Sequence, residues 1–316
     1  MLGECTPRDD TTDSWYAKAT VRHTPRIFAP SGTNTELVYP TARSFIVDHP
    51  IVRSKGPDVR SFILAQAAYQ FLYNIALMET KLVIRASLAV LHRNADGIDD
   101  QHKLDALTVV IDEGYHAHVA LDYILQFKQQ SGIAPVHPPE STQKIDAVER
   151  AAAVLPVELH PDFELLAVTL AENVVTEEVA NMGREKDVVK SFATVMKDHV
   201  RDEGRHSSYF AELMKARWPH LSEDTQMQLG AALPHFLEDY LHVDPERHAE
   251  RQVLQACGLL PDEIGPVLAD SEQAFTDYHT QARQKTTSRL LRLIRQIGVL
   301  DVETNRQLFA ERGYAI

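Results

Sequence analysis

The sequence has only two cysteines, no long apolar run and no basic cluster, and each absence excludes a class of protein. Cys5 and Cys257 are far apart and form no metal-binding or redox motif, so we expect a reduced, cytoplasmic protein. No stretch of about eighteen apolar residues occurs, which excludes a transmembrane helix, and the N-terminus lacks the apolar core of a signal peptide. The formal net charge of −13 argues against binding to nucleic acid or to an anionic membrane.

Almost no segment alternates apolar and polar residues with period two, so the sequence predicts an all-α protein with little strand. We expect residues 1–57 to form an irregular arm that packs on the remainder, and residues 58–316 to form a single helical domain. Prolines that would break any long helix recur along the arm, at Pro7, Pro25, Pro30, Pro40, Pro50 and Pro57.

Apolar residues at helical spacing predict four long helices, over 59–93, 100–130, 162–184 and 188–217. A long proline-bearing segment separates the second from the third, as expected of a bundle in which one helix pair crosses over to meet another. Further helices are predicted over 222–241, 246–257, 261–267 and 270–297, outside the bundle.

The motif Asp-Glu-Gly-x-His occurs twice, at 112–116 and at 202–206. Each copy follows another glutamate set in an apolar run: Glu79 lies 34 residues before Glu113, and Glu172 lies 31 residues before Glu203. A duplicated pattern of one glutamate followed by Glu-x-x-His is what a four-helix bundle uses to hold two metal ions between its helices.

Helical geometry brings the residues of each motif together. Residues three and four apart share one face of a helix, so Glu113 and His116 project together, as do Glu203 and His206. Both pairs, and the two upstream glutamates, lie on faces that otherwise carry apolar residues and so predict a buried core.

Four buried carboxylates repel one another unless cations or protons neutralise them. Two divalent ions balance the four negative charges, which indicates two metals rather than one. Carboxylate and imidazole ligands without thiolate favour iron or manganese over a closed zinc site.

Two aspartates precede the motif glutamates, and we interpret them as supports for the histidines. A metal-bound histidine usually donates its free ring N–H to a carboxylate, which fixes its tautomer. We therefore expect Asp112 and Asp202 each to contact the histidine of the opposite helix. The alternative is that both are exposed helix aspartates.

His199 lies four residues before Glu203 and seven before His206, on the same helical face. The residue pattern leaves its role open. It is a seventh ligand, a buried core histidine, or a hydrogen-bond donor to the ligands.

With these seven positions in order, the chain resembles the di-iron arylamine N-oxygenases typified by p-aminobenzoate N-oxygenase. The resemblance is clearest over residues 60 to 215. It implies a ferritin-like four-helix bundle with a di-metal core, extra C-terminal helices and the irregular N-terminal arm. The resemblance also implies that His199 is a metal ligand, which completes the set Glu79, Glu113, His116, Glu172, His199, Glu203 and His206.

The resemblance further implies an O2-dependent monooxygenase with two iron ions, for which manganese is an alternative. Such an enzyme oxidises an amine nitrogen towards hydroxylamine, nitroso or nitro products, in natural-product biosynthesis. The metal ligands are then the whole catalytic apparatus, and no separate side-chain nucleophile or base is expected.

Other functions fit the same ligand set. A C-hydroxylase or desaturase would use the same centre, and a ferroxidase or iron-storage protein would use a similar bundle. A ribonucleotide reductase radical subunit is disfavoured, because Ala120 stands where that family has a tyrosine. The intact ligand set also argues against a degenerate scaffold.

The sequence does not identify the substrate or the electron donor. A free arylamine, an amino-acid-derived amine and a carrier-tethered amine all remain open. We expect an external electron donor as a partner, and a homodimer as the assembly.

Overall fold

The computed structural model describes residues 11–29 and 38–315, and within these ranges every regular element is a helix. This confirms the all-α prediction. Cys5, Pro7 and Pro30, with part of the predicted arm, lie outside the described residues. The α-helices of the described part are α1 Thr11–Lys18, α2 Thr20–His23, α3 Pro50–Ser54, α4 Pro57–Met78, α5 Ile84–Leu91, α6 Asp100–Ser131, α7 Gln143–Ala153, α8 His160–Gly183, α9 Lys190–Arg217, α10 Glu223–Tyr240, α11 Asp244–Ala256, α12 Pro261–Ile297 and α13 Glu303–Glu311.

Four long rods form the bundle. The first consists of α4, a π-helical turn over Glu79–Val83 and α5, and the others are α6, α8 and α9. The first rod packs against α6, and α8 packs against α9, while α5 meets α8 and α6 meets α9 across the bundle. These bounds agree with the predicted helices to within two residues at each end.

The apolar interior of the bundle is divided into two clusters along the helix axes, and the ligand residues lie between them. On the first rod, Ile75 and Ala76 belong to one cluster and Leu82 and Val83 to the other, with Glu79 between. The other three rods also contribute apolar residues to both clusters. A polar layer therefore crosses the bundle near its middle.

Helix α6, which carries the first motif, is fixed at both ends by its own sequence. Asp99 Oδ1 accepts a hydrogen bond from the His102 N–H at 2.8 Å, which caps the N-terminus. Gly132 ends the helix in a left-handed conformation with φ of 72°, which favours glycine.

The crossover between α6 and α8 contains α7, which was not predicted. Thr142 caps this helix by accepting the Ile145 N–H at 3.1 Å, and the face with Ile145, Val148 and Ala152 is buried. The prolines that marked the segment as a connection lie on either side of α7. They leave room for three helical turns between them.

The C-terminal helices differ from the prediction in two respects. The two expected helices over 261–267 and 270–297 form a single α12 of 37 residues. Pro266 is the sixth residue of this helix, inside its second turn, so its missing N–H removes one hydrogen bond of the helix without ending it. The final helix α13 was also missed.

The described parts of the arm contain short helices that contact the bundle. Helices α1 and α2 lie against α6 and α9, and α3 lies against α4 and α12. Pro50 and Pro57 begin α3 and α4, which is the position in a helix that tolerates proline best. The prolines therefore prevent one long helix and start shorter ones.

None of the helices in the described ranges is both long enough and apolar enough to cross a membrane.

Candidate metal centre

Each of the four rods brings one glutamate to the polar layer. The side chains of Glu79, Glu113, Glu172 and Glu203 are all buried, with no residue more than 3% exposed. His116, His199 and His206 are buried beside them. The structure thus brings together all seven residues that the sequence indicated as ligands.

The seven side chains form two overlapping groups of four. The first group contains Glu79, Glu113, His116 and His199, and the second contains Glu113, Glu172, Glu203 and His206. Within each group the candidate ligand atoms lie within 4.8 Å of one another. Glu113 belongs to both groups, so its carboxylate lies where it can bridge two ions.

His199 is directed into the first group. Its Nε2 atom lies 3.2 Å from Oε1 of Glu79 and 2.8 Å from Oε1 of Glu203. Its ring stacks on the His116 ring with centroids 4.2 Å apart. The Nε2 atom therefore faces the carboxylates rather than the apolar core.

The two motif histidines both direct Nδ1 towards the glutamates. Nδ1 of His206 lies 2.9 Å from Oε1 of Glu113, and Nδ1 of His116 lies 3.3 Å from Oε2 of the same residue. Their Nε2 atoms face the other way, where aspartates from the opposite helix meet them.

These aspartates lie where the sequence placed them. Oδ2 of Asp202 is 3.0 Å from Nε2 of His116, and Oδ2 of Asp112 is 3.1 Å from Nε2 of His206. A proton on Nε2 that is held by the aspartate leaves the Nδ1 lone pair free for a metal ion. Both aspartates are fully buried.

Three further residues hold the aspartates, and sequence reasoning missed all of them. Arg205 Nη2 donates to Oδ2 of Asp112 at 2.9 Å and to Oδ1 of Asp202 at 2.5 Å. Trp15 Nε1 donates to Oδ1 of Asp112 at 2.8 Å. The backbone N–H and the hydroxyl of Thr20 both donate to Asp202.

Of these three residues, only Arg205 could have been identified from the sequence. It lies inside the second motif, three residues after Asp202, which puts both side chains on one helix face. Trp15 is 97 residues from Asp112 and Thr20 is 182 residues from Asp202, so no local spacing relates them.

Burial and mutual repulsion make four charged glutamates unfavourable in the protein without metal. Burial raises the pKa of Glu79 and of Glu172 well above the usual range, and the neighbouring carboxylates raise both further. Burial alone would also raise the pKa of Glu203, but His199 and His206 hold it well below its usual range. The layer thus needs positive charge, and the raised pKa values of His116 and His206 show that protons on these two imidazoles supply it when metal is absent.

Several candidate ligand atoms in the layer are buried and make no hydrogen bond of acceptable geometry within the described protein, although some of them lie within 3 Å of one another. They are both carboxylate oxygens of Glu79 and of Glu203, one oxygen each of Glu113 and Glu172, Nε2 of His199 and Nδ1 of His206. Buried polar atoms in proteins nearly always have partners. Two cations would supply the missing partners and the missing charge, so the residues present fit a dinuclear metal centre.

Glu79 begins the π-helical turn Glu79–Val83 in the first rod. Such turns are rare in proteins, but those that occur often lie at functional sites. The wider turn rotates the side chains that follow it relative to their positions in a regular α-helix. The Thr80 hydroxyl donates to the Ala76 carbonyl at 2.6 Å within this segment. The π-helical turn therefore fixes the direction of the Glu79 side chain relative to the apolar side chains that follow it.

A small cavity of about 10 Å³ adjoins the rings of His116 and His199. Its apolar wall includes Ile75, Val195 and Met196. A larger surface cavity of about 200 Å³ shares three of its lining residues, Ile27, Tyr115 and Val119.

The amino-acid sequence matches a known protein family. The family model described as p-aminobenzoate N-oxygenase AurF matches residues 28–298, a range that contains all seven candidate ligands. The 4-aminobenzoate N-oxygenase of Streptomyces thioluteus is 21% identical to this chain over 208 residues. That match covers 65% of this chain and 62% of the relative, so the chain matches less than two thirds of the relative's length.

Proposed function

The chain belongs to the p-aminobenzoate N-oxygenase family, and from that premise we propose that it is an O2-dependent dinuclear N-oxygenase of an amine. The relative's name specifies 4-aminobenzoate as the substrate of that protein. For this chain we propose an arylamine or an amino-acid-derived amine, free or tethered to a carrier, in a biosynthetic reaction. An external donor supplies the electrons.

One observation carries this proposal: seven buried side chains from four helices form two groups that share Glu113. We propose that the first group holds one iron ion and the second group the other, with manganese as the alternative metal. The first group offers two imidazoles and the second offers one. The two ions would therefore differ in donor set.

When bound, the metal pair supplies two-electron reduction of O2 and transfer of one oxygen atom to the amine nitrogen. The first oxidation balances as amine plus O2, two electrons and two protons, giving hydroxylamine and water. Further rounds would lead to the nitroso and nitro levels.

The side chains around the metals have separate tasks. The four glutamates balance the charge of two divalent ions. Asp112 and Asp202 accept the Nε2 protons of the histidines and keep each Nδ1 free to bind. The apolar clusters on either side exclude bulk water from the layer, which strengthens each electrostatic contact.

The cavity beside His116 and His199 is too small for the amine. Its volume of about 10 Å³ is near the least space that holds one water molecule. We therefore propose that the amine reaches the candidate centre by a different approach.

The test begins with the purified chain loaded anaerobically with ferrous iron. We expect about two irons per chain and, after mixing with 18O2, label in the oxidised nitrogen group of an accepted amine. His199→Ala should change the product distribution or the rate, whereas His118→Ala, an exposed histidine on α6, should not.

Three outcomes would refute the proposal. A single tightly bound ion per chain would exclude the dinuclear centre. Label found on carbon, or a desaturated product without label, would indicate the C-hydroxylase or desaturase reaction instead. Hundreds of irons per assembly without amine oxidation would indicate iron storage.

A further inference from the structure

Trp15 joins the surface of the protein to the candidate centre by hydrogen bonds. Its indole N–H donates to Oδ1 of Asp112 at 2.8 Å, and Oδ2 of the same carboxylate lies 3.1 Å from Nε2 of His206. On the far side of the imidazole ring, Nδ1 of His206 lies 2.9 Å from Oε1 of Glu113, inside the polar layer. A side chain of the arm is therefore connected to a candidate ligand through a single carboxylate.

The other end of this connection reaches solvent. Trp15 is 7% exposed, and its neighbour Tyr16 is 54% exposed. The two rings meet edge to face with centroids 5.1 Å apart. The Arg22 guanidinium lies over both rings, 5.4 Å from the Trp15 centroid and 4.9 Å from the Tyr16 centroid. Two aromatic rings and a cation thus line the short path from the surface to Asp112.

Among the described residues, no other indole or phenol is hydrogen-bonded to a side chain that contacts a candidate ligand. Tyr115 is the nearest alternative, since its ring centroid lies 6.4 Å from that of His116, but no hydrogen bond joins the two. Electron tunnelling weakens steeply with distance, and it crosses a hydrogen bond more readily than a gap of the same length. Trp15 therefore offers better electronic coupling to the candidate centre than Tyr115 does.

The proposed function requires a route for electrons. It takes them from an external donor, yet apolar clusters enclose the polar layer on both sides. A carrier protein is too large to enter the layer, so its electrons have to cross the chain from the surface. We propose that they enter at Trp15 and pass through Asp112 and His206 to the metal pair. This inference rests on the proposed function, which supplies the need for electrons.

The electron count follows from the two metal ions. Two ferric ions accept two electrons to become ferrous, so two one-electron carriers are oxidised in turn. The indole proton of Trp15 stays on Nε1, in its hydrogen bond to Asp112. No bond of the chain forms or breaks, and the route only conducts.

The charge of the surface around the indole indicates the carrier. The whole chain has a formal net charge of −13, yet residues 11–29 contain Lys18, Arg22 and Arg26 against one acid, Asp13. The three cations are exposed, and we call them the arm patch. Lys18 and Arg22 have no carboxylate partner among the described residues. A basic patch on an acidic protein attracts and orients an acidic partner, so the carrier that fits here is an acidic protein.

The first test measures docking without metal. An acidic iron–sulfur ferredoxin serves as the carrier, and its affinity for the metal-free full chain is measured by calorimetric titration at low salt. Lys18→Glu with Arg22→Glu should raise Kd by about 10-fold or more, because two attractive charges become repulsive. Added salt should weaken binding of the wild type. Lys285→Glu, which changes an exposed lysine on α12 outside the arm patch, is the control and should bind as the wild type does.

The second test measures electron transfer in the chain loaded with ferric iron. Reduced ferredoxin is mixed with it without O2, and the limiting rate of iron reduction is separated from the ferredoxin concentration that gives half of it. Trp15→Phe keeps a ring but removes the N–H, so it should lower the limiting rate by about 10-fold and leave that concentration unchanged. The double glutamate variant should do the reverse. Trp218→Phe, which alters the other tryptophan beyond the end of α9, should change neither.

Iron content and the absorption spectrum separate conduction from a structural role of Trp15. The indole contacts Asp112 and no candidate ligand directly. Trp15→Phe should therefore hold as much iron as the wild type and give the same spectrum in the ferric state. A rate that falls only together with iron content or with a changed spectrum would overturn conduction through the indole.

The remaining outcomes are also decisive. An unchanged limiting rate in Trp15→Phe would overturn the route, and a lower rate in Tyr115→Leu alone would place the route at Tyr115. Absent binding of ferredoxin, or equal affinity in the double glutamate variant, would overturn the docking surface. All of these results leave the proposed function intact, which fails instead if the wild type holds no pair of metal ions or oxidises no amine.

Discussion

Asp202 on α9 contacts His116 on α6, with Oδ2 of the aspartate 3.0 Å from Nε2 of the imidazole. Asp112 on α6 makes the reciprocal contact to His206 on α9. Each motif thus supplies two candidate ligands on its own helix, and its aspartate contacts the histidine of the other motif. The two halves of the candidate centre depend on each other.

Replacing Asp202 by asparagine should weaken metal binding. The amide carries no charge and holds the Nε2 proton less strongly, so the preference for the correct tautomer falls. We expect the affinity for ferrous iron or manganese to drop by about 10- to 100-fold, measured by competition with a chelator. Asp122→Asn, a half-buried aspartate on α6 outside the layer, is the control, and equal affinities in both variants would contradict the role of Asp202.

Glu113 belongs to both groups of candidate ligands. Its replacement should therefore lower the number of bound metal ions per chain more than the replacement of a glutamate that belongs to one group. Glu113→Ala should retain less than one ion per chain, while Glu79→Ala and Glu172→Ala should each retain about one. Elemental analysis after anaerobic loading and gel filtration gives the counts. Glu177→Ala on α8 should retain two, and a full complement in Glu113→Ala would exclude the shared carboxylate.

Arg205 is the only arginine or lysine in hydrogen-bond contact with both buried aspartates among the described residues. Its side chain is 15% exposed, so Arg205→Met leaves two buried charges without their shared cation. We expect the free energy of unfolding of the metal-free protein to fall by about 3–5 kcal/mol, measured by urea titration. Arg201→Met removes an ion pair whose arginine side chain is 65% exposed, and it should cost less than about 1 kcal/mol.

The metal-free protein should lose stability as pH rises above neutrality. Burial alone would lower the pKa of His116, but Asp202 and Glu113 raise it to about 9, from 6.5 in the unfolded chain. The stabilisation by the charged imidazole is therefore complete below pH 6.5 and is lost as pH rises through 9. Glu79 and Glu172 act in the same direction, because their raised pKa values favour the protonated form in the folded state.

Urea titrations of metal-free protein between pH 6 and pH 9 test this trend. Bound metal should reduce the pH dependence of stability, since the ligands are then deprotonated at every pH in the range. The double variant Glu79→Gln with Glu172→Gln removes two of the groups with raised pKa values. Its free energy of unfolding should therefore depend less on pH below pH 9. A metal-free wild type of constant or increasing stability over the range would contradict the assignment of the raised pKa values.

The sequence was sufficient for the bundle and for six of the seven candidate ligands because local geometry places them, whereas His199 was added through the family resemblance. Glu113 and His116 are one helical turn apart, and the apolar residues around Glu79 and Glu172 place these glutamates inside. The contacts of Asp112 and Asp202 followed from the duplication of the motif. Each of these inferences needs only helical periodicity and the cost of burying charge.

The remaining parts depend on contacts between distant segments. Trp15 and Thr20 come from an arm whose prolines indicated irregular structure, and nothing in their local sequence relates them to an aspartate. Helix α7 is short and lies between prolines, which mark the whole segment as a connection.

The contacts of Trp15 and Thr20 have a consequence for metal exchange. Both residues lie in the arm, and both donate hydrogen bonds to the aspartates that hold His116 and His206, Trp15 to Asp112 and Thr20 to Asp202. If the arm lifts away, water reaches these carboxylates while every helix of the bundle stays formed. Ions could then enter or leave through a local opening whose free energy is well below that of global unfolding, so the lifetime of the loaded protein would depend on how firmly its first helical turns stay docked.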